Sequence, residues 1–149
     1  MTIESNIEIS QPPSVVYEFM MDEENLPLWL TNFVRMETVS GESGEVGSIS
    51  KHFYNERGRV LEFTEEITEI RENELMAARY ESEDFDMHIA NFLKPAGEAS
   101  TQLTIRSEYV FKSFWMKLFA PFARNTMQKR MQENLERLKD AIEELTEIE

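Results

Sequence analysis

Cysteine is absent from the 149-residue sequence, so disulfide bonds, thiolate metal sites and cysteine nucleophiles are excluded. Histidine is rare, with only His52 and His88, and the acidic residues do not recur at the spacing of a metal-binding motif. The sequence also lacks a glycine-rich, lysine-containing loop that would bind phosphate. We therefore expect that the protein binds no metal ion and needs no cofactor.

Basic residues are few: 15 lysines and arginines stand against 29 acids, and the formal net charge is −14 at pH 7. Because such acidity repels phosphate backbones and anionic lipid headgroups, we expect no binding of nucleic acid, and a membrane-surface role is disfavoured. No apolar run is long enough to span a membrane, and the N-terminus lacks the basic flank and apolar stretch of a signal peptide. These absences predict a cytoplasmic protein.

The apolar content is that of a globular protein, with 41% hydrophobic and 11% aromatic residues. We therefore expect one domain, residues 1–149, with a substantial core. Thr2 to Ser10 alternates between apolar and polar residues and predicts a strand. The prolines at positions 12 and 13 fit the first turn of a following helix, and a second short helix is expected at Leu26–Leu30.

The middle of the chain alternates between short strand patterns and turn signals. The predicted strands are Val34–Val39, Ser48–Tyr54, Arg59–Ile70, Leu75–Glu81, Phe85–Leu93 and Thr101–Phe111. Because the breaks between most of them are only a few residues long, hairpins are favoured and the sheet is expected to be antiparallel.

The last third of the chain predicts a long amphipathic helix. From Phe114 onward the apolar residues follow one another mostly at three or four positions, which is one stripe of a 3.6-residue period. Pro121 either kinks this helix or begins its main part. The bulky residues of 114–119 suggest a gate with part of the cluster buried, although a dimer contact or simple core packing would produce the same pattern.

Several segments, in this order, match the marks of a known superfamily. They are Ile7-Glu8-Ile9-Ser10, Pro12-Pro13-Ser14-Val15-Val16-Tyr17, Asn25-Leu26-Pro27-Leu28-Trp29, Gly44-Glu45-Val46-Gly47 and Leu138-Lys139-Asp140-Ala141-Ile142-Glu143. The chain resembles the SRPBCC superfamily, which includes the START, birch-pollen-allergen and polyketide cyclase/dehydrase groups. The resemblance implies an α+β helix-grip fold of order β-α-α-β6-α. A curved antiparallel sheet of about seven strands would then surround the C-terminal helix and enclose a cavity for an apolar ligand.

Strand parity predicts which side chains face that cavity, since successive residues of a strand point to opposite faces. The more apolar row of each strand, together with the bulky half of the helix, gives the predicted ligand-binding set. Its members are Leu61, Phe63, Met76, Tyr80, Phe85, Met87, Asn91, Leu103, Ser107, Tyr109, Phe119, Phe122, Met127 and Met131. The alternative for each methionine is ordinary core packing, and Trp29 is interpreted as a structural plug rather than as part of the cavity mouth.

Glu65 is the leading candidate for a catalytic residue, because it shares parity with Leu61 and Phe63, and a pocket tyrosine, Tyr80 or Tyr109, is the alternative. A carboxylate inside an apolar cavity would have a raised pKa and would serve as a general acid or base. The favoured alternative is a β-bulge between Glu65 and Glu66, which would leave both side chains in water. His88 with Asp86 is interpreted as a surface pair, and His52 with Tyr54 as a weak polar site.

Three functions are compatible with the sequence. The leading hypothesis is the binding of a small to medium apolar molecule, such as a lipid, a polyketide or an isoprenoid-like compound. The second is an enzyme of the polyketide cyclase/dehydratase type that uses Glu65 or a pocket tyrosine, and the third is a protein-interaction module of the chaperone-activator type. An inward Glu65 bonded to a second polar group would favour the enzyme. Whether the chain catalyses a reaction, and whether it forms a homodimer, stays open.

Overall fold

The computed structural model describes residues 1–148, with side chains as far as residue 145. The helices are α1 (Pro13–Met21), α2 (Leu26–Trp29), which follows a 3₁₀ turn at Glu23–Asn25, and α3 (Phe114–Ile148). The strands are β1 (Thr2–Ile9), β2 (Phe33–Ser40), β3 (Ile49–Glu56), β4 (Arg59–Arg71), β5 (Leu75–Glu81), β6 (Phe85–Pro95) and β7 (Thr101–Phe111). This confirms the predicted order of elements.

The seven strands form one antiparallel sheet in the order β1-β7-β6-β5-β4-β3-β2. Consecutive strands from β2 to β7 are neighbours, as expected for hairpins with short turns. The tightest is the two-residue turn Arg57-Gly58, where both residues have positive φ, 54° and 84°. Two such residues in succession fit the type I′ geometry that matches the twist of the strands. The helix-grip fold is confirmed.

The core lies between the inner face of the sheet and the second half of α3. Its most deeply buried large side chains are Ile3, Ile9 and Leu103 from the sheet and Leu135, Leu138 and Ile142 from the helix, each at most 1% exposed. Three helix side chains hold the backbone of β1 and its continuation. Gln128 Nε2 and Lys139 Nζ donate to the carbonyl oxygens of Glu4 and Glu8, at 2.8 and 2.9 Å, and Glu143 Oε1 accepts from the Ser10 amide at 3.0 Å.

Two strands are irregular. In β4 the pairing with β5 shifts between Ile67 and Glu69, beyond the stretch where β4 pairs regularly with β3. The expected bulge between Glu65 and Glu66 is therefore wrong, because the irregularity comes later in the strand. The edge strand β2 has two shifts, one near each end.

α3 runs unbroken from Phe114 to Ile148 with Pro121 inside it. The proline therefore does not begin a separate helix, although it leaves one backbone carbonyl without its helical donor. In the described part of the chain, no helix combines the length and the apolarity needed to cross a membrane.

Candidate functional site

A cavity of about 470 Å³ lies between the inner face of the sheet and α3. This volume is within the range of sites for small molecules, which are mostly apolar with a few polar groups that fix orientation. Strands β3 to β7 supply most of the wall. The helices α1 and α2, the middle of α3, Met36 of β2 and a few turn and loop residues supply the rest.

Most of the predicted ligand-binding residues line this cavity. They are Leu61, Phe63, Met76, Tyr80, Phe85, Met87, Asn91, Ser107, Tyr109, Met127 and Met131. The two polar members differ in their surroundings: Asn91 Nδ2 donates to the Met76 carbonyl oxygen at 3.1 Å, while Ser107 is 1% exposed in the wall of β7. Trp29, interpreted from the sequence as a plug, also lies in the cavity wall and is 7% exposed.

Three predicted residues lie elsewhere. Leu103 has the expected inward parity, but it sits between Ile7 of β1 and Leu93 of β6 and is 0% exposed in the solid core. Phe119 and Phe122 are 57% and 82% exposed. They miss the cavity because, at about 100° per residue, they lie roughly 120° and 180° around α3 from Met131, whereas Ala120, on the inner side of the helix, is 8% exposed. In the cluster expected to form a gate at 114–119, four of the five apolar residues are about half exposed or more, and Met116 is half-buried.

A buried polar cluster lies in the cavity wall, centred on Glu65, which is 4% exposed. Tyr80 Oη donates to Glu65 Oε2 in a short hydrogen bond. The other carboxylate oxygen, Oε1, accepts from Ser50 Oγ at 3.2 Å and lies 3.4 Å from His52 Nε2. Both oxygens of the carboxylate are thus bound by side chains from β3 and β5.

The register of the sheet brings this cluster together. Ser50 of β3 lies directly opposite Glu65 of β4, and Glu65 lies directly opposite Tyr80 of β5. Directly opposed residues share a face and have Cβ atoms about 5 Å apart. His52 follows Ser50 by two positions and therefore points to the same side.

The hydrogen bonds set the ionisation of the cluster. Burial acts to raise the pKa of Glu65, but the hydrogen bond and charge of His52, together with the hydrogen bonds from Tyr80 and Ser50, outweigh it, and the pKa lies below its ordinary value. The expectation of a raised pKa is therefore wrong, because the carboxylate is buried among donors. Burial and the neighbouring carboxylate raise the pKa of Tyr80 well above its ordinary value. At neutral pH the pair is an ionised acceptor and a protonated donor.

His52 is the residue that the sequence interpretation undervalued. It is 3% exposed, and its ring meets Phe33 and Tyr80 edge-on, with centroids 5.9 and 5.7 Å apart. A signal for it does exist in the sequence. If Arg57-Gly58 is read as a two-residue turn, Glu56 must face Arg59, and counting back along both strands places Ser50 opposite Glu65.

The second histidine lies outside the cavity lining. His88 Nε2 is 3.4 Å from Thr68 Oγ1, while its predicted partner Asp86 instead forms a salt bridge with Lys112, at 3.0 Å. Within residues 1–148, no group of three or more His, Asp or Glu side chains is arranged to hold a metal ion.

Two buried nitrogen atoms in the wall lack a hydrogen-bond partner among the described residues. They are Trp29 Nε1 and His52 Nδ1. An indole N–H is only a donor, and leaving it buried and unpaired costs about 1–3 kcal/mol. Both side chains line the cavity, so an oxygen atom of a bound molecule is the natural partner for the indole.

At the rim of the cavity, polar side chains join α3 to the rest of the wall. Arg130 binds the carboxylate of Glu56, at the end of β3, with both terminal nitrogens, and the longer of the two bonds is 3.1 Å. Asn134 Oδ1 accepts from the amide and hydroxyl of Thr31, at 3.0 and 2.7 Å. The hydrogen bonds to Arg130 lower the pKa of Glu56.

Comparison with known proteins gives a consistent result. The family described as polyketide cyclase / dehydrase and lipid transport matches residues 1–143. A search of curated proteins found no match. Among solved structures, the chain is similar to a START superfamily protein from Mycobacterium smegmatis, with a TM-score of 0.82 and 14% identity over 97% of this chain and 98% of that one.

Two further structures are similar over nearly their whole length. Protein TTHA0849 from Thermus thermophilus has a TM-score of 0.79 and 21% identity, over 95% of this chain and 97% of that one. The Zhui aromatase/cyclase from Streptomyces sp. R1128 has a TM-score of 0.77 and 12% identity, over 96% and 93%. At such identities these similarities show the fold alone.

Proposed function

Because the chain belongs to the polyketide cyclase/dehydrase and lipid transport family, we propose that it binds a small, largely apolar molecule between its sheet and α3. The observation that carries the proposal is the cavity of about 470 Å³, lined by methionine, aromatic and aliphatic side chains. Methionines such as Met87 and Met127 suit this role, because their flexible thioethers adapt to the outline of an irregular guest. Lipids, polyketides and isoprenoid-like compounds fit this chemistry.

The guest should carry at least one oxygen atom. Trp29 offers an unpaired indole N–H to the cavity, and His52 Nδ1 is likewise unpaired among the described residues. A carbonyl or hydroxyl group would satisfy the indole donor, whereas a pure hydrocarbon would leave it unpaired. The location we propose is the cytoplasm, since a chain without cysteine gains nothing from an oxidising compartment.

The test of binding is native mass spectrometry of freshly purified protein, combined with a variant whose cavity is filled. We expect the wild type to retain a guest and Ser107→Phe to retain about tenfold less or lower, because the ring takes the guest's space at a cost of about 1–3 kcal/mol. Thr104→Phe, on the same strand but outside the cavity lining, is the matched control and should retain the guest.

Far-ultraviolet circular dichroism and thermal melting check that these variants fold. If Ser107→Phe does not fold, Met87→Trp is the alternative variant, because it fills the same cavity from the neighbouring strand. Met87 is only half-buried, so its position can accept the larger ring. Equal guest retention in the wild type and a folded, filled variant would refute binding in this cavity.

A second function, proton-transfer chemistry of the cyclase/dehydratase type, is favoured by one observation. Glu65 faces the cavity and is hydrogen-bonded to a second polar group, Tyr80. In this proposal the ionised Glu65 takes a proton from the guest, and as its charge is lost Tyr80 releases Oε2 and donates its hydroxyl proton in a hydrogen bond to the developing oxyanion.

The two functions are separated by comparing the guests extracted from the wild type and from Glu65→Gln. If the protein is an enzyme, the variant retains the unreacted substrate, and its guest differs in mass from that of the wild type, for example by one water for a dehydration. Tyr80→Phe should give the same substrate, because an acid–base pair contributes about 10²–10⁴-fold to the rate. An identical guest mass in all three proteins would support binding without reaction.

A further inference from the structure

The first half of α3 presents an exposed apolar surface, which we name the aromatic face. It consists of Phe114, Trp115, Leu118, Phe119 and Phe122, with exposures of 70%, 66%, 49%, 57% and 82%. The spacing i, i+1, i+4, i+5, i+8 places all five side chains on one side of a helix. Trp115 and Phe119 stack on one another, with ring centroids 6.5 Å apart. A continuous exposed surface of this kind marks an interaction site.

The segment that carries the aromatic face has a charge opposite to that of the whole protein. Between Glu108 and Glu133 the sequence contains five basic residues and no acid, although the formal charge of the chain is −14. Lys112 and Arg130 are neutralised by salt bridges with Asp86 and Glu56. The other three, Lys117, Arg124 and Lys129, form no salt bridge with any described residue, which leaves a local positive charge.

The aromatic face is also continuous with the rim of the cavity. From Phe119, steps of three or four residues lead to Phe122, Thr126 and Arg130, and the last two of these line the cavity. The hydrogen bonds that tie α3 to β1 begin only at Gln128. The aromatic face therefore reaches the rim of the cavity at Thr126 and Arg130 while pointing away from the cavity itself, and it lies before the part of α3 that is held to β1.

From these observations we propose that the first half of α3 docks on the surface of an anionic lipid bilayer. Phenylalanine, tryptophan and leucine on one helix face, with lysine and arginine on the other sides of the helix, are the composition of helices that lie in the membrane interface. The acidic remainder of the protein opposes binding only weakly, because charges further than about 8 Å from the lipid surface are screened at physiological salt. The overall acidity disfavours a membrane-surface role, and the first half of α3 is the exception that we propose.

A second copy of the chain is a poorer occupant of this surface. A two-fold dimer is isologous, so the same patch of both subunits would meet, and the basic side chains of one would face those of the other. Like charges brought together in this way oppose association, whereas an anionic bilayer neutralises them. Docking adds to the proposed binding of a guest and does not require it, since the aromatic face lies outside the cavity.

The test is flotation of the full chain with vesicles of phosphatidylcholine alone or mixed with phosphatidylserine. We expect binding to the mixed vesicles only, weakening as salt is raised. Lys117→Glu combined with Lys129→Glu should reduce binding at least about tenfold, because each basic side chain near an anionic surface contributes roughly a factor of five. Trp115→Ala with Phe119→Ala and Phe122→Ala should reduce it similarly.

Matched controls use the same substitutions elsewhere on the surface. Arg57→Glu with Arg59→Glu, at the β3–β4 turn, should bind vesicles like the wild type or nearly so. The filled-cavity variant Ser107→Phe should also float, which separates a failure of docking from a failure of guest binding. Wild-type protein that stays unbound at low salt would overturn the proposal. So would sedimentation showing a dimer that the triple alanine variant disrupts, with no vesicle binding.

Discussion

Replacing Glu65 by leucine is expected to lower the free energy of unfolding by about 3–5 kcal/mol at pH 7, measured by urea denaturation. The substitution removes the common acceptor of Tyr80 Oη and Ser50 Oγ and the partner of His52 Nε2. Tyr80 Oη then loses its acceptor, and Ser50 Oγ and His52 Nε2, 3.3 Å apart, are left with each other. Glu66→Leu is the matched control: its carboxylate is 43% exposed and pairs with Arg79 at 3.5 Å, so a change below about 1 kcal/mol is expected.

The stability that Glu65 contributes should depend on pH. Because the pKa of Glu65 is lowered in the folded state, its stabilisation is present above the ordinary glutamate value of 4.5 and is lost as the pH falls through the folded value. The difference in the free energy of unfolding between the wild type and Glu65→Leu should therefore narrow below pH 4.5. A Glu65→Leu variant as stable as Glu66→Leu, or a difference that stays constant in acid, would show that the cluster does not hold these strands together.

Leu138→Ala is expected to cost about 2–5 kcal/mol of unfolding free energy, because Leu138 is 0% exposed between α3 and the sheet. Leu118→Ala makes the same chemical change on the same helix, where the side chain is 49% exposed, and should alter stability by no more than about 0.5 kcal/mol. Denaturant titration of both variants measures the difference. Comparable losses would mean that the first half of α3 is packed as tightly as the second.

Much of the fold follows from short-range patterns in the sequence. β5 and β7 begin and end at the predicted residues, and the resemblance to the polyketide cyclase/dehydrase group is confirmed by the family match over residues 1–143. Period-two alternation and turn signals suffice for this, because each depends only on neighbouring residues. Strand parity places nine of its ten predicted ligand-binding residues in the cavity wall, and the helical residues Met127 and Met131 line it as well.

The errors arise where the answer depends on distant parts of the chain. Leu103 has the right parity, yet only the position of α3 and β1 decides whether an inward side chain meets open space or solid core. Phe119 and Phe122 follow at helical spacing, but over the length of α3 they come to lie roughly 120° and 180° around the helix from Met131, on the side away from the core. The favoured interpretation of Glu65 puts it in water because it assigns a bulge to the wrong place, and the donors that lower the pKa of Glu65 come from two other strands.

The irregular edge strand β2 has a consequence for solubility. An open sheet leaves the outer N–H and C=O groups of its last strand unpaired, and a straight edge of this kind is a template for another chain to add to. In β2 the register shifts between Phe33 and Arg35 and again between Thr38 and Ser40, and the exposed pair Arg35 and Glu37 lies between the two shifts. Broken spacing and charge together make this edge a poor partner for a second sheet, so the β2 side of the sheet can stay open without adding another chain.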